Sequence, residues 1–219
     1  MVQNSQKARS RGRPRAYDPE AALQQARDAF WRTGYAQTSL DDISAAVGMN
    51  RPSLYAAFGD KHALYLRALE QYWQLSLSVM HEALNDEELP LEEALMRAYE
   101  GQLALYFAAD GLPRGCFAIG TAVTEAVDDP DIRRSLATGF RALDADLERR
   151  IRAARDRGQL RRDADPAALA WLASAALHSI AIRARSGASS AELREMAGKA
   201  VAVICGEQAA RHPAPACRD

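Results

Sequence analysis

Apolar residues recur along the chain at intervals of three and four, and the residues between the runs are those that start and stop helices. Asp18-Pro19 supplies an N-cap with proline at the first helical position, and Leu23, Ala26 and Phe30 follow at helical spacing until Gly34. This predicts a first helix of about four turns. Thr38-Ser39-Leu40-Asp41 has capping-box character and precedes a short helix carrying Ile43 and Val47, stopped by Gly48. Asn50 can cap a third helix, with Pro52 in its first turn and Gly59 at its end. Asp60 opens a fourth of about six turns through Leu64, Leu69, Trp73, Leu77, Met80 and Leu84.

Longer helices fill the second half. Leu91, Leu95, Tyr99, Leu103 and Tyr106 mark a fifth that ends at Gly111, and a sixth is expected from Cys116 to Val127. Asp129-Pro130 opens a seventh, with Ile132, Leu136, Phe140, Leu143, Leu147 and Ile151 on one face and Gly158 as its stop. Asp165-Pro166 starts an eighth reaching about Arg185, and Ser189-Ser190-Ala191-Glu192 is a capping box for a ninth that fades near Gly206. Strand alternation of useful length is missing. The expectation is an all-α protein of about nine helices: a basic arm over residues 1–17, a three-helix helix-turn-helix module over 18–62, a long-helix bundle over 63–208 and a tail over 209–219.

Composition narrows the class. Hydrophobic residues make up 48% and charged residues 26%, the balance of a soluble globular protein. Cys116, Cys205 and Cys217 are too few and too scattered for a disulfide scaffold, which points to a reducing compartment. The basic start has no apolar signal core, and the weakly polar run Ala167 to Ile182 is broken by Ser174, His178 and Ser179, so a cytoplasmic chain without a membrane anchor is expected. The net charge of −1 conceals a division, with +3 over residues 1–62 and −4 over the rest. Lys7, Arg9, Arg11, Arg13 and Arg15 precede the first acid, a composition suited to an arm that tracks a polyanion.

Two short helices about Gly48 have the dimensions of a helix-turn-helix. For such a unit to read DNA, its second helix must expose polar N-terminal residues to the major groove while apolar residues pin it from behind. Asn50, Arg51, Ser53 and Tyr55 can face outward, and Leu54 and Phe58 share the opposite face. Arg51 suits guanine or phosphate, and Asn50 suits a cap or a base edge. Thr38 and Lys61 sit at helix N-termini, where amides and the dipole favour a phosphate, although a plain cap and a solvated lysine are the structural alternatives. No glycine-rich phosphate loop, nucleophile elbow or His-Glu-x-x-His pair occurs, so no residue nominates itself for catalysis.

The stretch from Thr38 through Asp41, Ile43, Val47, Gly48, Asn50, Arg51, Leu54, Tyr55 and Phe58 to Lys61 resembles the DNA-binding signature of TetR-type transcriptional regulators, over about residues 17–72. Met49, Asn50 and Pro52 stand where valine, serine and glycine are commoner in that family, in or beside the reading helix. The resemblance implies contacts to phosphate or bases from Thr38, Asn50, Arg51, Ser53, Tyr55 and Lys61, with Arg13 and Arg15 reaching neighbouring DNA. It also implies a repressor that binds a palindromic, double-stranded operator as a homodimer and is released by a small molecule. An all-helical enzyme or an adaptor without DNA binding are the competing classes.

The eighth helix is apolar nearly all round and must be covered on most sides. The resemblance pairs it, near 166–185, with the ninth, near 190–206, in a dimer interface. A small-molecule chamber would be mainly apolar with a few polar groups. Its candidate lining is Trp73, Tyr99, Tyr106, Cys116, Phe117, Thr121, Phe140, Trp171 and His178. Cys116 follows Arg114-Gly115 at an expected helix N-terminus, where a dipole and a cation would favour thiolate and response to oxidants or electrophiles; a buried structural thiol is the alternative. The cysteines and His62, His81, His178 and His212 show no metal-ligand spacing, so neither metal nor cofactor is expected.

Overall fold

The computed structural model describes residues 18–107 and 112–206; the arm bearing Arg13 and Arg15, the expected helix stop at Gly111 and the tail over 209–219 lie outside these. Within them are eight α-helices: α1 (Pro19–Thr33), α2 (Leu40–Val47), α3 (Arg51–Phe58), α4 (Lys61–Asn85), α5 (Leu91–Tyr106), α6 (Pro130–Asp156), α7 (Pro166–Arg185) and α8 (Ser190–Ile204). No strand is present among the described residues, only one isolated bridge between Phe107 and Pro113.

The caps explain most boundaries. The carboxylates of Asp18, Asp60, Asp129 and Asp165 each accept from amides in the first turn of the helix they precede. Three of those helices carry proline in the first turn, where a missing N–H costs nothing. Ser39 and Ser189 form reciprocal capping boxes with Asp42 and Glu192. The cap of α2 is therefore Ser39, one residue beyond Thr38.

Two helices differ from their expected form. α5 stops at Tyr106 because Phe107 turns extended, and the Tyr106 carbonyl then accepts from the amides of Arg114 and Gly115. The segment expected as one helix from Cys116 to Val127 is a π-helical turn, Ala118–Ala122, followed by a 3₁₀ turn, Glu125–Val127. A widened turn of this kind is rare in helices. Here Gly120 presses on Arg185, whose Nη1 would lie 3.0 Å from an added Cβ.

One continuous core joins the three-helix head, α1–α3, to the bundle. Phe30, Ile43, Leu54 and Phe58 fill the head, while Tyr65, Leu69 and Tyr72 on α4 carry the packing into the bundle, where α4, α5, α6, α7 and α8 lie against one another. α7 is long and apolar enough by composition to cross a membrane, yet its inner face, with Ala173, Leu177, Ile180 and Ala181, is packed within the bundle.

Candidate nucleic-acid interface and ligand chamber

α2 and α3 meet through Gly48, whose left-handed φ of 67° lets the chain reverse in a single residue. Behind α3, Leu54 and Phe58 are buried. Outward face Arg51, Ser53 and Tyr55, the last with 47% of its surface exposed. Asn50 is also exposed, but its Oδ1 accepts from the Ser53 amide at 2.9 Å, so it caps the reading helix and keeps only its amide NH₂ for other partners. Arg51 donates through Nε and Nη2 to the two carboxylate oxygens of Asp41 on α2, at 2.7 and 2.5 Å. This partner raises the guanidinium's pKa and aligns its planar fork at the mouth of the reading helix.

The remaining expected contacts divide. Lys61 opens α4 with its ammonium 4.5 Å from the centroid of the Tyr35 ring, held beside the head by a cation–π contact. Thr38 is buried: its hydroxyl donates to the Gly34 carbonyl at 2.5 Å and pairs with the Thr33 hydroxyl at 2.7 Å. Its side chain therefore fixes the turn into α2, and the exposed polar groups at that end belong to Ser39 and Asp42.

Among the described residues, the candidate lining residues are not gathered around one cavity. Tyr99 donates its hydroxyl to the Ala173 carbonyl at 2.8 Å, and the void between Tyr99, Met80, Leu147 and Leu177 is about 10 Å³. Tyr106 and Phe117 are packed in the core, and Thr121 donates to the Phe117 carbonyl and pairs with the Tyr65 hydroxyl at 2.7 Å. Trp171 is 68% exposed on the outer face of α7, with exposed Leu172 next to it and exposed Ile182 three turns further on, so it lines no interior space. That outward stripe lacked a sequence signal because α7 is apolar on every side. Phe140 and His178 meet edge to face at 5.0 Å between α6 and α7. Burial lowers the His178 pKa, opposed by the nearby Asp144 carboxylate, and His178 Nε2 and Asp144 Oδ1 are buried without hydrogen-bond partners.

Cys116 departs from the expected electropositive site. Burial, the largest effect, raises its pKa above the ordinary thiol value against the opposing hydrogen bonds from the Tyr72 hydroxyl, at 3.0 Å, and the amides of Ile119 and Ala118. Arg114 turns away, pairing with Asp28 at 3.1 Å and lying 4.0 Å over the Trp31 ring. The thiol belongs to a buried joint, although a recess of about 220 Å³ beside α7 reaches it.

That joint ties the head to the bundle, and the sequence held no sign of it. The Trp31 indole on α1 donates to the carbonyls of Arg114 and Gly115, at 3.2 and 3.1 Å. From the last turn of α7, Arg185 Nη1 donates to the carbonyls of Trp31 and Arg114, both at 3.1 Å. Gly115 has φ 64°, and a Cβ there would fall 2.4 Å from the Ala181 carbonyl oxygen. A second link is His62 of α4, whose Nε2 lies 2.7 Å from Asp129 Oδ2 at the start of α6. His62, Asp129 and Asp131 bring three potential metal ligands within 4.8 Å, but Asp129 already spends its other oxygen on the first amides of α6, and Asp131 pairs with Arg134.

A helix-turn-helix head with an exposed polar edge, packed against a helical bundle, is the architecture of a DNA-binding regulator. Residues 22–68 match the family "Bacterial regulatory proteins, tetR family", and residues 93–199 match "Tetracyclin repressor-like, C-terminal domain". The chain belongs to the TetR family and is a DNA-binding transcriptional regulator rather than an enzyme.

Among its relatives, the HTH-type transcriptional repressor ComR of Escherichia coli (strain K12) is 35% identical over 191 residues, spanning 87% of this chain and 90% of ComR. A cysteine mutant of the TetR family transcriptional regulator CifR, complexed with 26-bp double-strand operator DNA, superposes with a TM-score of 0.77 and 28% identity, covering 87% of this chain and 98% of that one. The reduced form of Escherichia coli NemR shares the fold, with a TM-score of 0.71 and 20% identity, over 85% of this chain and 96% of NemR.

Proposed function

We propose that the protein is a cytoplasmic repressor that binds a palindromic operator as a homodimer and is released when a small molecule binds the bundle. The observation that carries this reading is the division of α3, with Arg51, Ser53 and Tyr55 outward and Leu54 and Phe58 locked inward. Such an edge enters a major groove with Arg51 reaching a base and Tyr55 and Lys61 reaching phosphates, while Asn50 holds the helix start. Arg13 and Arg15, in the arm, extend the contact to adjacent DNA. The repressor name of ComR and the operator DNA bound to CifR support this direction.

Dimerisation rests on the outer face of α7 and α8. Trp171, Leu172 and Ile182 are exposed large apolar side chains on one helix, and Val203 is exposed on the next. An apolar stripe of this kind is a partner surface. A second copy on a two-fold axis would double the DNA contacts at one helical-turn spacing. A ligand acts by preferring a bundle geometry in which α4 sets the heads at a spacing that misfits adjacent grooves; one that binds both geometries equally shifts nothing.

The test is selection of the purified protein on random double-stranded DNA at near-physiological salt. The expected result is one palindromic consensus whose half-sites lie about one helical turn apart. A folded protein that enriches no sequence would overturn the operator reading.

A further inference from the structure

The reading helix α3 has only eight residues, too few to hold its shape by its own hydrogen bonds, so what grips its ends decides where its side chains point. Its start is fixed twice, by the Asn50 cap and by the Asp41–Arg51 pair. Its end is less well provided. The Gly59 amide closes on the Tyr55 carbonyl at 2.9 Å, but the last turn carries no basic residue of its own to meet the remaining carbonyls and the negative end of the helix dipole.

Arg67, in the second turn of α4, supplies that group from another helix. Its Nη1 donates to the Ala57 carbonyl at 3.2 Å, and its guanidinium lies 5.2 Å from the centroid of the Phe58 ring. Phe58 is 4% exposed and pins α3 from behind, so one side chain bonds the last turn of the reading helix and covers its anchor. Arg67 is itself exposed, and an exposed arginine near a reading helix has two uses, as a phosphate ligand or as a brace. The geometry favours the brace, because both partners of the guanidinium lie on the same end of α3.

We infer that Arg67 is a positioning residue for DNA reading, which braces the C-terminal end of α3 through the Ala57 carbonyl and the Phe58 ring and so fixes the angle at which Ser53 and Tyr55 meet the groove. A brace acts on selectivity rather than on charge. Tilting α3 misplaces contacts to base edges, whereas attraction to random DNA depends on the cations that reach phosphates and changes little. That α3 enters a major groove rests on the proposed function; the brace itself does not.

The experiment compares the full-length wild type with Arg67→Met, which keeps the apolar stem but removes the guanidinium, and with Arg67→Lys, which keeps a cation and a donor. In the free proteins, hydrogen exchange of the Phe58 and Gly59 amides should quicken about fivefold in Arg67→Met, the effect of one hydrogen bond, and return most of the way in Arg67→Lys, with the thermal melt unchanged. Against the operator selected with the wild type, Arg67→Met should bind about tenfold more weakly. It should bind random DNA as the wild type does and keep the wild-type slope of log affinity against log salt. Unchanged exchange overturns the brace. Equal losses on operator and random DNA, with a slope about 0.9 shallower, would make Arg67 a phosphate ligand and end the positioning role. A wild type that enriches no operator defeats the operator reading alone, and the exchange result still decides the brace.

Discussion

Arg51, the first residue of the reading helix, is gripped at two points by Asp41 of the preceding helix, through Nε at 2.7 Å and Nη2 at 2.5 Å. Both side chains are exposed, so the pair does little for stability, because solvent screens it. Its effect is on orientation. A guanidinium free to rotate meets phosphates and bases alike, whereas one held in plane presents its remaining N–H groups in one direction.

Affinity and selectivity should therefore part at this pair. Asp41→Ala is expected to leave the melting temperature unchanged and to strengthen binding to random DNA, since an acid is removed from beside the phosphates. It should also broaden the base preference at the position Arg51 reads. Arg51→Ala should lower operator affinity roughly tenfold or more and flatten the same position. Binding-site selection on the three proteins decides the matter; an unchanged consensus with Asp41→Ala would refute the orienting role.

The head-to-bundle joint makes a prediction about stability. Trp31→Phe keeps most of the aromatic packing but removes the donor shared by the Arg114 and Gly115 carbonyls, and should cost of order 1–2 kcal/mol in urea denaturation. Gly115→Ala should cost more, because it combines a positive φ with a 2.4 Å approach to the Ala181 carbonyl. Two near-neutral results would show that the joint is not under load.

Acid should weaken the bundle through His178. Burial holds its folded-state pKa below the ordinary histidine value, so below a pH of about 6.5 the unfolded chain takes up the proton more readily than the folded one. Stability then falls as pH drops through that window and is unaffected above it. Comparing thermal melts at neutral and mildly acidic pH, the wild type should lose more than His178→Gln, and parallel losses would assign the effect elsewhere.

The proposed dimer surface is the outer face of α7. Trp171→Glu combined with Ile182→Glu places charge on two exposed apolar positions, which costs the isolated chain little. Light scattering should show a shift from dimer to monomer with helical content retained, and operator affinity should collapse because the two half-sites are no longer read together. A dimer that survives both charges places the interface on another surface.

Most of the helices, their caps and the two-sided reading helix were legible in the sequence, because each rests on interactions within a few residues. Asp60 reaches the amide three positions on, and Leu54 and Phe58 share a face whatever lies behind them. Local spacing also came close at the start of α2, yet it was the tertiary turn that chose between neighbours, drawing Thr38 inward and leaving Ser39 as the cap.

Direction and distance were a different matter. Nothing local distinguishes Tyr99, sealed against the Ala173 carbonyl, from Trp171, which faces outward, because both lie on helices with apolar residues on several sides. Nor could the order of residues show that Arg114 turns to Asp28 and Trp31 while burial keeps the adjacent Cys116 protonated, or that Arg185 would meet Trp31 across 154 positions of chain. The chain's short-range chemistry thus determined a helical DNA-reading head and the bundle attached to it. Which polar groups stay exposed and which thiol is buried were decided by long-range packing, since burial and partnership depend on elements that meet only in the folded protein.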